Sequence, residues 1–503
     1  MTLFRSGIIV AFFTVVSRIF GLARELFIAS LFGAGTVADS VNVAFKLPNL
    51  FRRIFGEGAL STVFVPIFNE KLLESKETAR HFTGEVFSIL LITLIVIILL
   101  MQLFMPYLMF VIAPGFYEEP AKFELTVLLC RITMPYLVFI SISALFGGIL
   151  NSVKKFAAFA FSPVILSVVV ITATQILQKH IDPPISICLS LMIAGILQVL
   201  FMFYCIARAK LLFPMTLNSP NRDVKKFLIN MGPATISSGV QQLNLFISQS
   251  IASFIEGAIS ILSYADRIYQ FPLSIIGISF STILLPELSR VYKLKDLSQA
   301  AKIQNHAVKT ALLLALPAAF GIIALAQPII HIIYERGEFN SSDTIKTAEA
   351  ISVFALGLPA FILSKILTPI FYANHDTKTP LKITIYSLSA NTILNIILMF
   401  PFGHLGIALG SSITGWYNVW MLYKYTKKHG NFQLDSNVSF FCFKILISCF
   451  IMTLVIAIIS RNYSEFFYSE SLFIKITALG CTIIIAMAVF LLIALCFKLH
   501  KNN

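Results

Sequence analysis

The chain has 503 residues, 57% of them hydrophobic and only 12% charged, where soluble domains carry about 25% charged residues. Together with a mean hydropathy of +0.87, this excludes a globular enzyme on a single anchor and defines a polytopic membrane protein. A formal net charge of +14 would suggest nucleic acid in a soluble protein, but most of the Lys and Arg fall in short loops, where topology accounts for them and no nucleic-acid partner is needed.

A spanning helix needs about 20 apolar residues. About fourteen stretches qualify, near 6–33, 38–68, 82–112, 124–150, 156–178, 184–208, 223–254, 258–288, 306–334, 345–372, 380–401, 404–426, 439–460 and 472–497. The loops between them are short, so no soluble domain is inserted. The first run is interrupted by Arg18 and Arg24 and lacks a small-residue cleavage site, so it reads as a transmembrane helix and not as a cleaved signal. The seven cysteines (130, 188, 205, 442, 449, 481, 496) lie in apolar runs without CxxC spacing. They read as small packing residues, with neither a disulfide framework nor a metal site expected.

Alternate loops differ in Lys and Arg. One set carries Lys71, Lys76, Arg80, Lys154, Lys155, Arg208, Lys210, Arg222, Lys225, Lys226, Arg290, Lys293, Lys295, Lys302, Lys378, Lys382, Lys424, Lys427 and Lys428, joined by the terminal Lys498 and Lys501. The other has Lys122, Lys179, Arg336, Lys346 and Arg461. The positive-inside rule makes the first set cytoplasmic, and an even helix count then places both termini inside.

An internal repeat is visible. STVFVP at 61–66 recurs as STILLP at 281–286. Ala38-Asp39 and Ala265-Asp266 precede Leu47-Pro48 and Phe271-Pro272, and Met134-Pro135 matches Leu358-Pro359. Each unit is about six helices, so both copies insert in the same orientation, the parallel-repeat arrangement of transporters. The expected fold is all-α and polytopic, with a first six-helix bundle over 1–221, a second over 222–430, and two additional transmembrane helices over 431–503.

Arg18, Arg24, Lys46, Arg52 and Arg53 lie inside the first two apolar segments. A charge at bilayer depth costs at least about 2.5–3.5 kcal/mol, so the cluster calls for an aqueous cavity, an anionic ligand, or both. Arg18 and Arg24 differ by about 9 Å in height along one helix, while Ser17 and Arg24 share a face. Arg53 and Glu57 are spaced to pair at i,i+4, which leaves Arg52 without an evident sequence partner. Pro48, Gly56 and Gly58 permit a bend in the second helix, as does Pro272 in the eighth, where YADRIYQFP supplies Asp266 and Arg267. Arginine suits phosphates, since its fork donates bidentate hydrogen bonds and keeps its charge when buried.

Two other readings stand beside this one. The charges could snorkel from helix ends or pair structurally with Glu25, Asp39 and Glu57. An enzyme would need clustered acid–base groups, but the eight histidines are scattered at helix ends. There is no Walker A, no metal-ligand spacing and no G-x-S-x-G elbow. A transporter without a catalytic residue is therefore expected.

The stretch GAGTVADSVNVAFKLPNLFRRIFGEGALSTVFVPIF at 33–68, with SRIFGLARE at 17–25 and SYADRIYQFP at 263–272, closely resembles the MurJ (MviN) lipid II flippases of the multidrug/oligosaccharidyl-lipid/polysaccharide transporter superfamily. The resemblance covers essentially the whole chain. It implies movement of lipid II, an undecaprenyl-pyrophosphate-linked disaccharide peptide, from the inner to the outer leaflet of a bacterial cytoplasmic membrane. Membrane lipids and cell-wall synthesis proteins are its implied partners. The family's essential arginines fall on Arg18, Arg24, Arg52 and Arg267, and Ser17, Asp39, Lys46 and Glu57 match further implicated positions. Glu25 stands where many members have Asp. Some members bind sodium through a carboxylate in the seventh helix. Here 223–254 offers only Asp223 at its edge, with Asn391, Thr392 and Asn395 in the eleventh, so no cofactor is expected. The nearly uncharged last two helices could groove the isoprenoid tail or simply face lipid. A related exporter of another lipid-linked oligosaccharide is the alternative.

Overall fold

A computed structural model describes residues 3–53, 61–216, 222–428, 434–435 and 438–499. The described residues contain helices and connecting turns and no strand. The chain divides into two compact units, Met1–Ile259 and Ser260–Asn503.

The first unit holds α1 (Leu3–Phe32), α2 (Thr36–Phe51), α3 (Ser61–Glu74), α4 (Lys76–Ile112), α5 (Pro120–Thr133), α6 (Tyr136–Ser152), α7 (Phe156–Leu177), α8 (Pro183–Arg208) and α9 (Arg222–Ala252). The fourth predicted span is divided into α5 and α6; α2 and α3 both fall within the second, and residues 54–60 between them lie outside the described residues. The fourth breaks at Met134-Pro135, where proline's missing donor permits an interruption of the helical hydrogen bonds. α2 packs on α5, α3 on α4 and α6, and α7 on α1 and α8. The core is strongly aromatic: Phe64 stacks with Phe68 and Phe82 at centroid distances of 5.5 and 5.6 Å. Between α2 and α5 runs a polar seam, with Thr126 Oγ1 donating to Ser40 Oγ at 2.9 Å and Thr133 Oγ1 to the Ala44 carbonyl at 2.9 Å. In an apolar bundle such hydrogen bonds fix helix pairs. α9 packs on α3 and α4. Packing thus groups it with the first unit, whereas the sequence boundary at 222 follows the repeat.

The second unit holds α10 (Ala258–Pro272), a π-helical turn over Leu273–Ile278, α11 (Ser279–Lys293), α12 (Leu297–Tyr334), α13 (Ser341–Ala373), α14 (Lys378–Phe402), α15 (His404–Lys428), α16 (Val438–Asn462), the single turn α17 (Ser464–Phe467) and α18 (Leu472–Cys496). α13 is its axis, packing on α11, α12 and α15. It runs unbroken through Pro359, unlike its repeat mate at Met134-Pro135. α16 and α18 pack on α12 and contribute Ile445, Cys449, Met452 and Phe490 to the same core. Ten of the described helices, or continuous runs of them, are long and apolar enough to cross a membrane. The remaining predicted spans correspond to α1, α2 with α3, α9 and α15.

The helix ends carry a pattern of their own. Among the described residues the non-glycine positions with positive φ are Lys154, Lys210, Lys295, His375 and Lys498. Each sits just past a helix C-terminus in a Schellman cap. In α8, for example, Leu211 N–H reaches the Ile206 carbonyl and Lys210 N–H the Ala207 carbonyl. All five fall in the set of loops that the Lys/Arg bias of the sequence assigns to the cytoplasm, and the positive-φ glycines Gly33, Gly257, Gly337 and Gly403 fall in the alternate set. Left-handed backbone costs a side-chain-bearing residue about 1–2 kcal/mol. A cation there interacts favourably with the helix C-terminal dipole, which offsets part of that cost.

Candidate functional site

In the first unit the arginines of α1 and α2 meet a buried tyrosine. Tyr136, 1% exposed at the start of α6, lies within electrostatic reach of both Arg24 and Arg52. Its hydroxyl bonds Gln198 Oε1 at 3.2 Å, and Gln198 Nε2 donates to the Ser162 carbonyl at 2.9 Å. α6, α7 and α8 thereby hold a polar chain beneath the two cations. Arg24 Nε is buried without a hydrogen-bond partner, and Arg52 Nε donates to Asn49 Oδ1 at 3.2 Å. Arg24 therefore retains an unused donor beside a second guanidinium, where an anion would complete it.

The other predicted residues are placed as follows. Arg18 is exposed and Ser17 half-buried on α1. Glu25 is half-buried and Lys46 exposed. Arg53 is exposed, its Nη1 donating to Gln242 Oε1 at 3.4 Å. Pro48 is buried inside α2, and the backbone turns π-helical at Arg52 and Arg53. Gly56, Glu57 and Gly58 lie outside the described residues, and with them the Arg53–Glu57 pairing.

Asp39 is fully buried, and its ion partner is a residue that sequence reasoning treated as a loop cation. Lys122 Nζ lies 3.2 Å from Asp39 Oδ2, and the Gly257 N–H donates to the same oxygen at 2.8 Å. Lys122 also sits over the Phe116 ring, 4.2 Å from its centroid. Thr36 Oγ1 donates to Glu256 Oε1 at 2.9 Å. The start of α2, the start of α5 and the turn after α9 are thus tied at one end of the unit. A Cβ on Gly115 would lie 2.4 Å from the Phe254 nitrogen, so only glycine permits that close approach.

In the second unit Arg267 is exposed on α10, and with Asp266 it lies within electrostatic reach of Tyr334. Tyr334 is fully buried and stacked on Phe339 at 5.6 Å, with its hydroxyl unpartnered. Asp266 accepts from Gln270 Nε2. Each unit therefore sets arginine charge against a buried tyrosine. Sequence reasoning named the arginines and missed Tyr136, Gln198 and Tyr334. Gln198, a lone amide in an apolar helix, was the available signal.

The residues considered for sodium have protein partners. Asp223 pairs with Lys71 Nζ at 2.9 Å. Asn395 Nδ2 donates to Asn391 Oδ1 at 3.0 Å, Asn391 Nδ2 to Ser411 Oγ at 3.4 Å, and Thr392 to its own helix. The Asn391–Ser411 contact joins α14 to α15, and the Asp223–Lys71 pair joins α9 to α3.

This is the fold of the polytopic α-helical transporters. A solved inward-facing multidrug resistance MATE family transporter of the MOP superfamily aligns with a TM-score of 0.69 over 84% of this chain and 97% of that one, at 15% identity. A solved lipid II flippase MurJ in an inward closed conformation aligns more fully, with a TM-score of 0.81 over 99% of this chain and 100% of that one, at 28% identity. The family model described as lipid II flippase MurJ matches residues 28–477. A probable lipid II flippase MurJ of Rickettsia prowazekii (strain Madrid E) is 64% identical over 97% of both chains. The lipid II flippase MurJ of Burkholderia cenocepacia is 34% identical over 86% of this chain and 85% of its own. The chain belongs to the lipid II flippase MurJ family.

Proposed function

We propose that this protein flips lipid II across the cytoplasmic membrane by alternating access of two six-helix bundles, 1–221 and 222–430, with both termini cytoplasmic. The observation that carries the reading is the buried, partnerless Nε of Arg24 beside Arg52 and Tyr136. A guanidinium pair out of bulk water is matched to a diphosphate, whose oxygens accept its forked donors. Arg18 extends the cationic surface within the first unit, where Lys46 and Glu25 adjust its charge, and Arg267 supplies a further cation in the second unit. The isoprenoid tail stays in lipid, and the pyrophosphate exchanges water for arginine donors. Movement needs no bond to be made or broken, so the site has no catalytic residue.

The test is rescue of cells depleted of their own lipid II flippase. Arg24→Ala, Arg52→Ala and Arg267→Ala should fail to rescue while reaching the membrane. The matching Lys variants, with charge but no fork, should rescue partly. Tyr136→Phe should weaken rescue less than the loss of either arginine. Full rescue by Arg24→Ala and Arg52→Ala at normal protein levels would end this reading. Binding of a different lipid-linked oligosaccharide in preference to lipid II would move the assignment to that exporter.

A further inference from the structure

At the end of the first unit where α6 turns into α7 and α8 ends, a cavity is lined by none of Arg18, Arg24 and Arg52. It has a volume of about 500 Å³ and opens between α1, α7 and α8, within the range of about 300–1,000 Å³ typical of ligand pockets. Its wall is aromatic: Phe13, Phe156, Phe161, Phe201 and Tyr204 line it. Phe161 ties the wall together, edge to face with Phe13 at 5.6 Å and with Phe201 at 5.7 Å. Three cations, Lys154, Lys155 and Arg208, complete the lining, and no carboxylate shares it. All three are exposed. Lys154 is locked at φ 60° by its Schellman cap, with Lys155 N–H bonded to the Leu150 carbonyl at 2.8 Å. Lys155 and Arg208 flank the half-buried Cys205 from opposite helix ends.

From this geometry we infer that the pocket is a binding site for an anionic glycerophospholipid of the inner leaflet, with its phosphate on Lys154, Lys155 and Arg208 and an acyl chain among the phenylalanines. The occupant follows from the division of chemistry. A free anion would use the cations but not the aromatic wall, and an apolar helix would leave three cations unmatched. A phospholipid engages both, and basic pockets between helices on the cytoplasmic side are a recurrent setting for anionic headgroups. The cytoplasmic placement rests on the Lys/Arg bias of the loops. The site does not depend on what the arginines of α1 and α2 transport.

Native mass spectrometry of the full chain in detergent tests it, with phosphatidylglycerol and phosphatidylcholine of matched acyl chains. Phosphatidylglycerol should be retained in preference. Each cation removed across Lys154→Ala, Lys155→Ala and Arg208→Ala should weaken that preference roughly fivefold. Ala157→Phe, which fills the pocket and leaves the cations intact, should lower retention of both lipids. Arg24→Ala should retain phosphatidylglycerol as the unaltered protein does, which separates this site from the proposed substrate site. Equal retention of the two lipids, or a triple variant as selective as the unaltered protein, would overturn the inference. So would displacement of phosphatidylglycerol by inorganic phosphate, or by undecaprenyl pyrophosphate at equal concentration.

Discussion

Lys122 Nζ and Asp39 Oδ2 lie 3.2 Å apart, with 2% and 0% of their side chains exposed. An ion pair so far out of water holds only when both partners are present. Removing one leaves an uncompensated buried charge at a cost of about 3–5 kcal/mol, whereas apolar replacement of both is often neutral. Lys122→Ala should therefore lower the melting temperature sharply in detergent. Lys122→Met combined with Asp39→Leu should recover much of the loss, apart from the bond Asp39 accepts from Gly257. A double variant as unstable as the worse single would show that Asp39 acts chiefly through Gly257.

The same pair marks where sequence stops being legible. Hydropathy located the ten helices, or runs of helices, that are long and apolar enough to span, because length and apolarity are local properties. Arg24 and Arg52 were legible because charge inside an apolar run has few explanations. Lys122 was read as a loop cation, since only the three-dimensional approach of α5 to α2 buries it. Tyr136 lay unnoticed for the same reason, its role set by neighbours more than sixty residues away in sequence. The repeat predicted equivalent prolines, yet α5 and α6 part at Pro135 while α13 passes through Pro359. A proline permits a break, and the packing around it decides whether one forms.

Glu335, just past the end of α12, has a carboxyl held below the usual range. Burial pushes it up, but the Thr344 hydroxyl, His331 and the nearby Lys475 together outweigh that effect. His331 Nδ1 lies 2.8 Å from Glu335, Lys475 Nζ lies 3.1 Å from His331 Nε2, and Tyr468 packs on the imidazole. A depressed carboxylate contributes stability above its unfolded pKa of about 4.3, and that contribution is lost as pH falls through the folded value. Glu335→Gln should therefore melt below the unaltered protein near neutrality, and the two curves should converge in acid. A gap that persists unchanged into acid would assign the effect to packing.

Lys210 caps α8 with φ 57°. Lys210→Gly and Lys210→Ala both remove the cation, but only glycine relieves the left-handed backbone. The glycine variant should be the more stable of the two by about 1 kcal/mol. Equal melting temperatures would mean that the cap contributes nothing beyond its charge.

Pro48 and Pro272 recur in the two halves of the repeat, ahead of STVFVP and STILLP, and each precedes π-helical backbone. The backbone is π-helical at Arg52 and Arg53 after Pro48, and over Leu273–Ile278 directly after Pro272. A π turn lengthens the hydrogen-bond register by one residue and, with proline, is among the few causes of sharp helix bends. A helix so built can change its bend by shifting that register, without breaking a full turn of hydrogen bonds. Pro272→Ala adds a donor and favours a straight α-helix through the turn, and Pro48→Ala does the same one turn before Arg52. If these turns are hinges, both variants should bind lipid II with nearly unchanged affinity and flip it several-fold more slowly. If the prolines merely pack, binding and flipping should fall together or not at all. Measuring binding by native mass spectrometry and flipping by extracellular labelling of lipid II separates the outcomes. Unchanged flipping in both variants would place the conformational change elsewhere in the bundle.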